Sequence, residues 1–335
     1  MIPATSLDAY EAARYRAGFI DRTDRGRIVL SGKDRASYLH GLLTNDITVL
    51  KEGEGCYAAY LTPQGRMIAD MLVYELGDVM LLTLASDVKD TVLAKLDQFV
   101  FTEDVQVGDL TDTFTSVAVV GPQAARIAGA VLADVSVDGL AALPEHGNVR
   151  AQFEGRPAIA ARVTDTGEAG YELFVEASQG AALNAALGAA GAIAVDDATA
   201  DALRVEAGVP KFHRDMDEHT IPLEAGIESR AISLTKGCYV GQEVIIRVLH
   251  RGHGRVVRKL VGLAFEGDSV PARDAIVRAD DREVGHVTSS VLSPALKRPI
   301  GLAYLHRDFV AAGTSVTVDG APAVVTELPF LGRQS

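Results

Sequence analysis

Hydrophobic positions recur along this chain with two periods, and the order in which those periods alternate outlines the fold. Residues 10–17 read as a short helix, and 26–32 as a strand running into a turn. In 34–43 the apolar positions Tyr38, Leu39, Leu42 and Leu43 follow i, i+1, i+4, i+5 spacing, which predicts one buried helix face ended by Asn45-Asp46. Residues 56–62 and 67–74 predict two strands around the turn Pro63-Gln64-Gly65-Arg66, and 79–84 a buried strand. Ser86 and Asp87 are capping types ahead of a helix over 86–99, where Val88, Val92, Leu93 and Leu96 share a face. A second unit starts at 115–120 with a strand. An Ala-rich helix (123–131), strands at 158–163 and 171–175, and helices at 179–187 and 197–206 follow. After Arg247 the texture changes to short β-rich runs at 256–263, 275–278, 283–290, 300–304 and 315–318, separated by turn residues. That pattern predicts a small all-β domain. No tandem repeat or low-complexity linker interrupts it.

Length and charge narrow the choices. A chain of 335 residues calls for two or three cores. Its hydrophobic content of 48% is ordinary for a globular protein. The net charge of −13 and pI near 5.1 argue against broad nucleic-acid binding, which needs a basic surface. Residues 229–260 are an exception, with seven Lys/Arg against the single acid Glu243, an excess of +6. A small basic patch on an acidic protein suits a small anionic ligand. Two cysteines, Cys56 and Cys238, make no disulfide framework. The start shows no secretory pattern, and the longest apolar stretch, 181–195, is short and contains Asn184. The expectation is a cytoplasmic protein with no membrane or nucleic-acid partner.

The stretch Lys236-Gly237-Cys238-Tyr239-Val240-Gly241-Gln242-Glu243 carries the clearest chemistry. Nearby cations favour a thiolate, and Lys236 together with the run Arg247, His250, Arg251, His253, Arg255, Arg258 and Lys259 surrounds this cysteine in sequence. The bland alternative is a half-buried small hydrophobe. Other motifs fail. The segment 26–33 has the wrong glycine spacing for a phosphate loop, and Asp34 stands where a hydroxyl is needed. No G-x-G-x-x-G separates a strand from a helix. His213, Asp215, Asp217, Glu218 and His219 form a dense polar cluster without metal-ligand spacing, so a solvated loop is expected and no metal site. His250 and His253 are open to a metal, an anion or plain solvent.

The octapeptide resembles the K-G-C-Y-x-G-Q-E signature of the YgfZ-type folate-binding proteins, relatives of the glycine-cleavage T-protein that are implicated in making or repairing iron–sulfur proteins. Leu203-Arg204-Val205-Glu206-Ala207-Gly208, followed by Asp217-Glu218-His219-Thr220-Ile221-Pro222-Leu223-Glu224, is similar to the T-protein pattern L-R-x-E-x-G…D-E-x-T-x-P-x-E. The resemblance implies an α+β fold of three lobes arranged as a cloverleaf around a folate pocket, with a C-terminal β-barrel. It implies a discontinuous folate-binding lobe (1–48 and 112–245), an inserted lobe (49–111) and the barrel (246–335).

By the same resemblance, Asp70 matches the second acid of G-G-x-x-D-D, beside the reactive folate nitrogens, where a carboxylate can accept a proton. Glu172, in Gly167-Glu168-Ala169-Gly170-Tyr171-Glu172, matches the pteridine-receiving glutamate, which can take two parallel hydrogen bonds. Arg204 is either a ligand contact or a structural ion pair with Glu206 or another acid. Cys238 would be a nucleophile or redox group at the pocket edge, with Lys236 holding its thiolate and Tyr239 shaping the loop. The basic run would meet the folate glutamate tail. On residues alone, Asp70 is also readable as a strand-end surface acid and Glu172 as an exposed strand residue. The implied function is tetrahydrofolate binding coupled to iron–sulfur protein assembly, with assembly proteins or client enzymes as partners. Two alternatives stand beside it, an aminomethyltransferase and a non-catalytic folate-sensing scaffold. Two departures weigh against the transferase: Ala69 replaces the first acid, and strand 79–84 offers no tyrosine to a ligand.

Overall fold

The computed structural model describes residues 5–250 and 255–332. Helix α1 (Leu7–Tyr15) starts where the Ser6 hydroxyl accepts the Ala9 N–H, and it leads into β1 (Gly18–Asp21). The chain then enters a second sheet through β2 (Arg25–Ser31), α2 (Arg35–Leu42), β3 (Gly55–Leu61), β4 (Met67–Glu75), β5 (Met80–Ala85), α3 (Ser86–Gln98) and β6 (Gln106–Asp109). It returns to the first sheet with β7 (Phe114–Val120), α4 (Ala124–Val131), α5 (Val137–Ala142), β8 (Asn148–Phe153), β9 (Arg156–Val163), β10 (Gly170–Glu176), α6 (Gly180–Ala189), β11 (Ile193–Val195) and α7 (Asp197–Glu206). Short helices α8 (Pro222–Ala225) and α9 (Glu228–Ala231) precede α10 (Gln242–His250). Strands β12 (Arg258–Phe265), β13 (Ile276–Ala279), β14 (Arg282–Ser293), β15 (Arg298–His306), β16 (Ser315–Val318) and β17 (Ala321–Thr326) finish the chain.

The first sheet has the order β11-β1-β7-β10-β9-β8, and the second β3-β4-β5-β2-β6. The last six strands form a closed barrel, β12-β15-β14-β13-β16-β17, so the fold is α+β with a C-terminal β-barrel, as expected. Strands β7 and β10 are buried along almost their whole length because helices cover one face and other lobes the other. Double-sided burial explains why Val117–Val120 runs apolar without alternation.

Hydrogen bonding groups the chain differently from the expected partition. The first lobe is discontinuous, but the second sheet begins at Arg25 rather than near 49, because β2 pairs with β5 from Arg25↔Ala85 to Leu30↔Met80. The tail expected in the first lobe also changes place. Phe212, Met216, Leu223, Ile232, Tyr239 and Ile245 share the apolar core of the second sheet with Leu43, Tyr60 and Met67.

A buried polar network joins the lobes. Glu206, fully buried on α7, accepts hydrogen bonds from Arg14, from the Tyr10 hydroxyl at 2.7 Å and from Ser293 at the end of β14. Arg14 also pairs with Glu168 in the loop before β10. One carboxylate thereby ties α1, α7 and the barrel together. Glu206→Ala leaves Arg14 charged and short of a partner in the core. It is expected to cost about 3–5 kcal/mol in urea-monitored unfolding, and a loss below about 1 kcal/mol would show that the network does not hold the lobes.

Candidate functional site

A cleft of about 1740 Å³ opens between the first sheet, the second sheet, α7 and the barrel. Asp70, Glu172 and Arg204, far apart in sequence, all line it. Asp70 gets there by strand alternation. In β4, Ala69, Met71 and Val73 are buried in the core, so Asp70 and Leu72 face the other way, into the cleft. Across the hairpin, Asp70 pairs with Ala59 and Leu72 with Tyr57. The diagonal neighbour Tyr57 donates its hydroxyl to Asp70 Oδ2 at 2.7 Å. Burial pushes the Asp70 carboxyl above its ordinary range, against the lowering effect of the Tyr57 hydrogen bond and the Arg25 charge. The site thus has its tyrosine, supplied by the strand before Asp70 rather than the one after it. The signal in the sequence was the hairpin register, which puts 57 and 70 on one face.

Glu172 lies on β10 and is 2% exposed. Its Oε1 accepts the Ser116 hydroxyl from neighbouring β7 at 2.7 Å, and Arg27 supports Ser116 from β2 at 3.4 Å. No described residue hydrogen-bonds Oε2, so that oxygen is open to a donor in the cleft. The expected alternative of an exposed strand residue does not hold, because two lobes enclose this carboxylate.

Arg204 takes its structural role. Its Nε bonds Asp201 at 2.6 Å, Nη1 bonds Asp215 at 2.7 Å and the Val209 carbonyl, and Nη2 bonds Ser289 of the barrel at 2.7 Å. The partners are Asp201 and Asp215 rather than Glu206. Arg204 shapes the cleft wall while most of its donors are committed elsewhere.

Sequence reasoning missed several lining groups. Arg25 opens β2, and its side chain faces Glu172, Asp165 and Asp70. Asp165 pairs with Arg22 at 2.5 Å, and the nearby arginines hold its carboxyl below the usual range despite burial. Arg230 lies over the Tyr57 ring at 5.4 Å. His213 also lines the cleft. Its two ring nitrogens face Asp87 (2.6 Å) and Glu218 (2.9 Å), which raise its pKa against burial.

Cys238, Lys236 and Tyr239 stand apart from this cleft and are absent from its lining. Cys238 is exposed in the loop before α10. Lys236 Nζ donates to the carbonyls of His40, Leu43 (2.6 Å) and Asn45 (3.0 Å), around the C-terminal end of α2. Three acceptors occupy all three ammonium protons, so Lys236 anchors the loop instead of holding the Cys238 thiolate. Burial lowers its pKa to about 8. The thiol within its electrostatic reach is Cys56, which burial pushes up to about 12. Tyr239 is 7% exposed and packs in the core of the second sheet, with its ring 5.0 Å from Lys236 Nζ. The loop docks on the tip of the β3–β4 hairpin. A Cβ at Gly241 (φ 83°) would lie 2.5 Å from the Thr62 carbonyl oxygen.

The basic run does not supply the cleft either. Arg247 pairs with Glu243, and Arg258 with Glu224 and the Tyr304 ring. Arg251, His253 and the side chain of His250 lie outside the described residues. Cations at the cleft come instead from Lys211, Arg214, Arg273 and Lys297. No helix among the described residues is long and apolar enough to cross a membrane.

Comparison with known proteins extends this picture over the whole chain. The GCVT N-terminal domain family matches residues 4–236, and the glycine cleavage T-protein C-terminal barrel domain matches 258–331. An aminomethyltransferase of Streptomyces coelicolor is 35% identical over 98% of this chain and 90% of its own length. One from Rubrobacter xylanophilus is 34% identical, covering 97% and 86%. The crystal structure of glycine cleavage system aminomethyltransferase T from Bartonella henselae superposes with a TM-score of 0.87 at 23% identity, over 98% of this chain and 90% of that one, which shows the shared fold. The two domain matches and the aminomethyltransferase relatives at this identity place the chain in the glycine cleavage T-protein family.

Proposed function

We propose that the protein binds tetrahydrofolate in the central cleft and takes part in one-carbon transfer of the kind its aminomethyltransferase relatives are named for. The observation that carries this reading is the meeting of Asp70 and Glu172 in one cleft from separate sheets. The polar inventory fits a reduced pterin. Glu172 Oε2 would take one N–H of the 2-amino and N3–H edge while Oε1 accepts the other beside the Ser116 hydroxyl, in the paired geometry that a carboxylate favours. Buried Arg25 Nε has no partner among the described residues. Tetrahydrofolate supplies the nitrogens that carry the one-carbon unit. Asp70, on the neighbouring lobe, then holds or accepts a proton, with Tyr57 fixing its orientation.

A second reading rests on Cys238. It is exposed, outside the cleft, and sits in the octapeptide that resembles the YgfZ-type signature. Under this reading folate occupancy supports a thiol-dependent step in iron–sulfur protein assembly or repair, with the assembly proteins or client enzymes as partners. The docking of the thiol loop on the hairpin that carries Asp70 gives the two sites a physical connection.

Calorimetric titration with tetrahydrofolate tests the shared premise. Micromolar binding is expected, weakened about a hundredfold in Glu172→Ala, and no binding by the native protein would sink both readings. Formation of methylene-tetrahydrofolate from aminomethylated lipoyl carrier protein tests the transfer. Since burial raises the Asp70 pKa, the acid limb of that activity is expected above the ordinary aspartate value of about 3.9. Asp70→Asn is expected to abolish that limb and slow turnover by about 10²–10⁴-fold; full activity with an unchanged limb would remove Asp70 from the chemistry. For the second reading, Cys238→Ser is expected to lower iron–sulfur enzyme activity in cells lacking the native protein. Full complementation by that variant would leave the thiol without this role.

A further inference from the structure

Arg25 is a cleft arginine at the Glu172 side that the ion pairs of the described residues leave without a carboxylate. Arg22 is taken by Asp165, Arg204 by Asp201 and Asp215, and Arg230 by Glu145 and the Tyr57 ring. The Arg25 side chain makes one hydrogen bond among the described residues, from Nη2 to the Thr83 carbonyl at 3.3 Å, and pairs with no carboxylate of them. Its Nε is buried without a partner, as is the Tyr74 hydroxyl beside it. A guanidinium carries five N–H donors, and unmade bonds from a buried donor are costly.

Strand geometry explains where these donors point. A Cβ on Gly26 would lie 2.7 Å from the Lys89 side chain, so α3 presses on that face of β2. Arg25 and Arg27 occupy the opposite face by alternation, toward the first sheet, where Arg27 reaches Ser116 beneath Glu172. Arg25 comes next on that face, at the cleft, which Glu172 also lines, and Glu172 is the carboxylate that most favours its charge against burial.

Resting on the folate reading, we propose that Arg25 donates to the 4-oxo group of the pterin and so sets a preference for 4-oxo over 4-amino pteridines. When Glu172 takes the 2-amino group and N3–H, the 4-oxo oxygen lies beside N3–H as an acceptor. An unpaired donor flanking Glu172 is its complement. A 4-amino ring instead points N–H groups at the guanidinium and a lone pair at Glu172. Sites built around a hydrogen bond reject analogues that cannot make it far better than apolar pockets reject a methylene.

The test is calorimetric titration of native protein, Arg25→Met and Arg25→Gln with tetrahydrofolate and with its 4-amino counterpart, tetrahydroaminopterin. Native protein is expected to prefer the 4-oxo ligand. Arg25→Met is expected to lose about 10–100-fold in tetrahydrofolate affinity and to leave the 4-amino ligand within about threefold, narrowing the preference to the part that Glu172 sets. Equal losses for both ligands, or an unchanged preference, would overturn the role of Arg25 while leaving the folate reading intact. Absence of tetrahydrofolate binding by native protein would overturn both. If circular dichroism shows that Arg25→Met does not fold, Arg25→Gln, which lacks the forked donors, is read on the same ratio.

Discussion

Burial of Glu206 is the constraint on which the arrangement of lobes depends. A carboxylate without solvent must be matched by donors, and these come from two separate pieces of chain: Arg14 and Tyr10 on α1, and Ser293 on the barrel. Its backbone carbonyl also accepts the Phe330 N–H at 2.9 Å, pinning the C-terminal segment to the same turn. The apolar residues around it divide between lobes. Leu203 packs with Ala13, Ile20 and Ala118, whereas Val205 packs with Leu260, Ile300 and Leu302 of the barrel. Helix α7 is therefore a shared beam, and Arg204, on the same turn as Glu206, forms part of the cleft wall because that beam is fixed.

The cleft treats its carboxylates unequally, and the neighbours decide how. Asp165 has Arg22 against it, so its charge is sustained in spite of burial. Asp70 has only a phenol in direct contact, so burial prevails and its proton is held more tightly. Glu172 leans on the Ser116 hydroxyl and keeps one oxygen open. Three acids in one cleft thus differ in environment, an ion pair for Asp165, a phenol for Asp70 and a hydroxyl for Glu172, by which strand stands next to each.

Much of this was legible in the sequence where a single element carried the signal. Helix α7 matches its expected bounds of 197–206, and the β-rich texture after Arg247 does close into a barrel. Asp70 and Glu172 were found through motifs that lie on single strands. What escaped depends on pairing between distant segments. Strands β1 and β11 form a parallel pair across 175 residues of intervening order, from Gly18↔Ile193, and neither run is long enough to announce itself. Tyr57 reached the site through hairpin register, and Arg25 through a neighbouring helix occupying the other face of its strand. Lys236 was misjudged for a related reason. Closeness in sequence suggested the Cys238 thiolate as its partner, whereas the carbonyls at the end of α2 compete for the same three protons and hold them.

The same register shows where the two sequence departures stand in this fold. Position 69 points away from the cleft: Ala69 is fully buried, opposite Tyr60, within the core of the second sheet. An acid there would need a partner in apolar surroundings, so alanine at 69 takes no carboxylate from the cleft of this chain. Strand β5 brings no tyrosine to the cleft, whereas Tyr57 of β3 lines it and donates to Asp70. The remaining distinctive feature, Cys238, lies outside the cleft on a loop seated against the hairpin tip. Gly241 lies close against the Thr62 carbonyl at the tip of the hairpin that carries Asp70, where a Cβ would lie 2.5 Å from that oxygen. The cleft that Asp70 lines and the loop that carries Cys238 therefore meet on one hairpin, because β3 and β4 run from the cleft to the tip on which that loop rests.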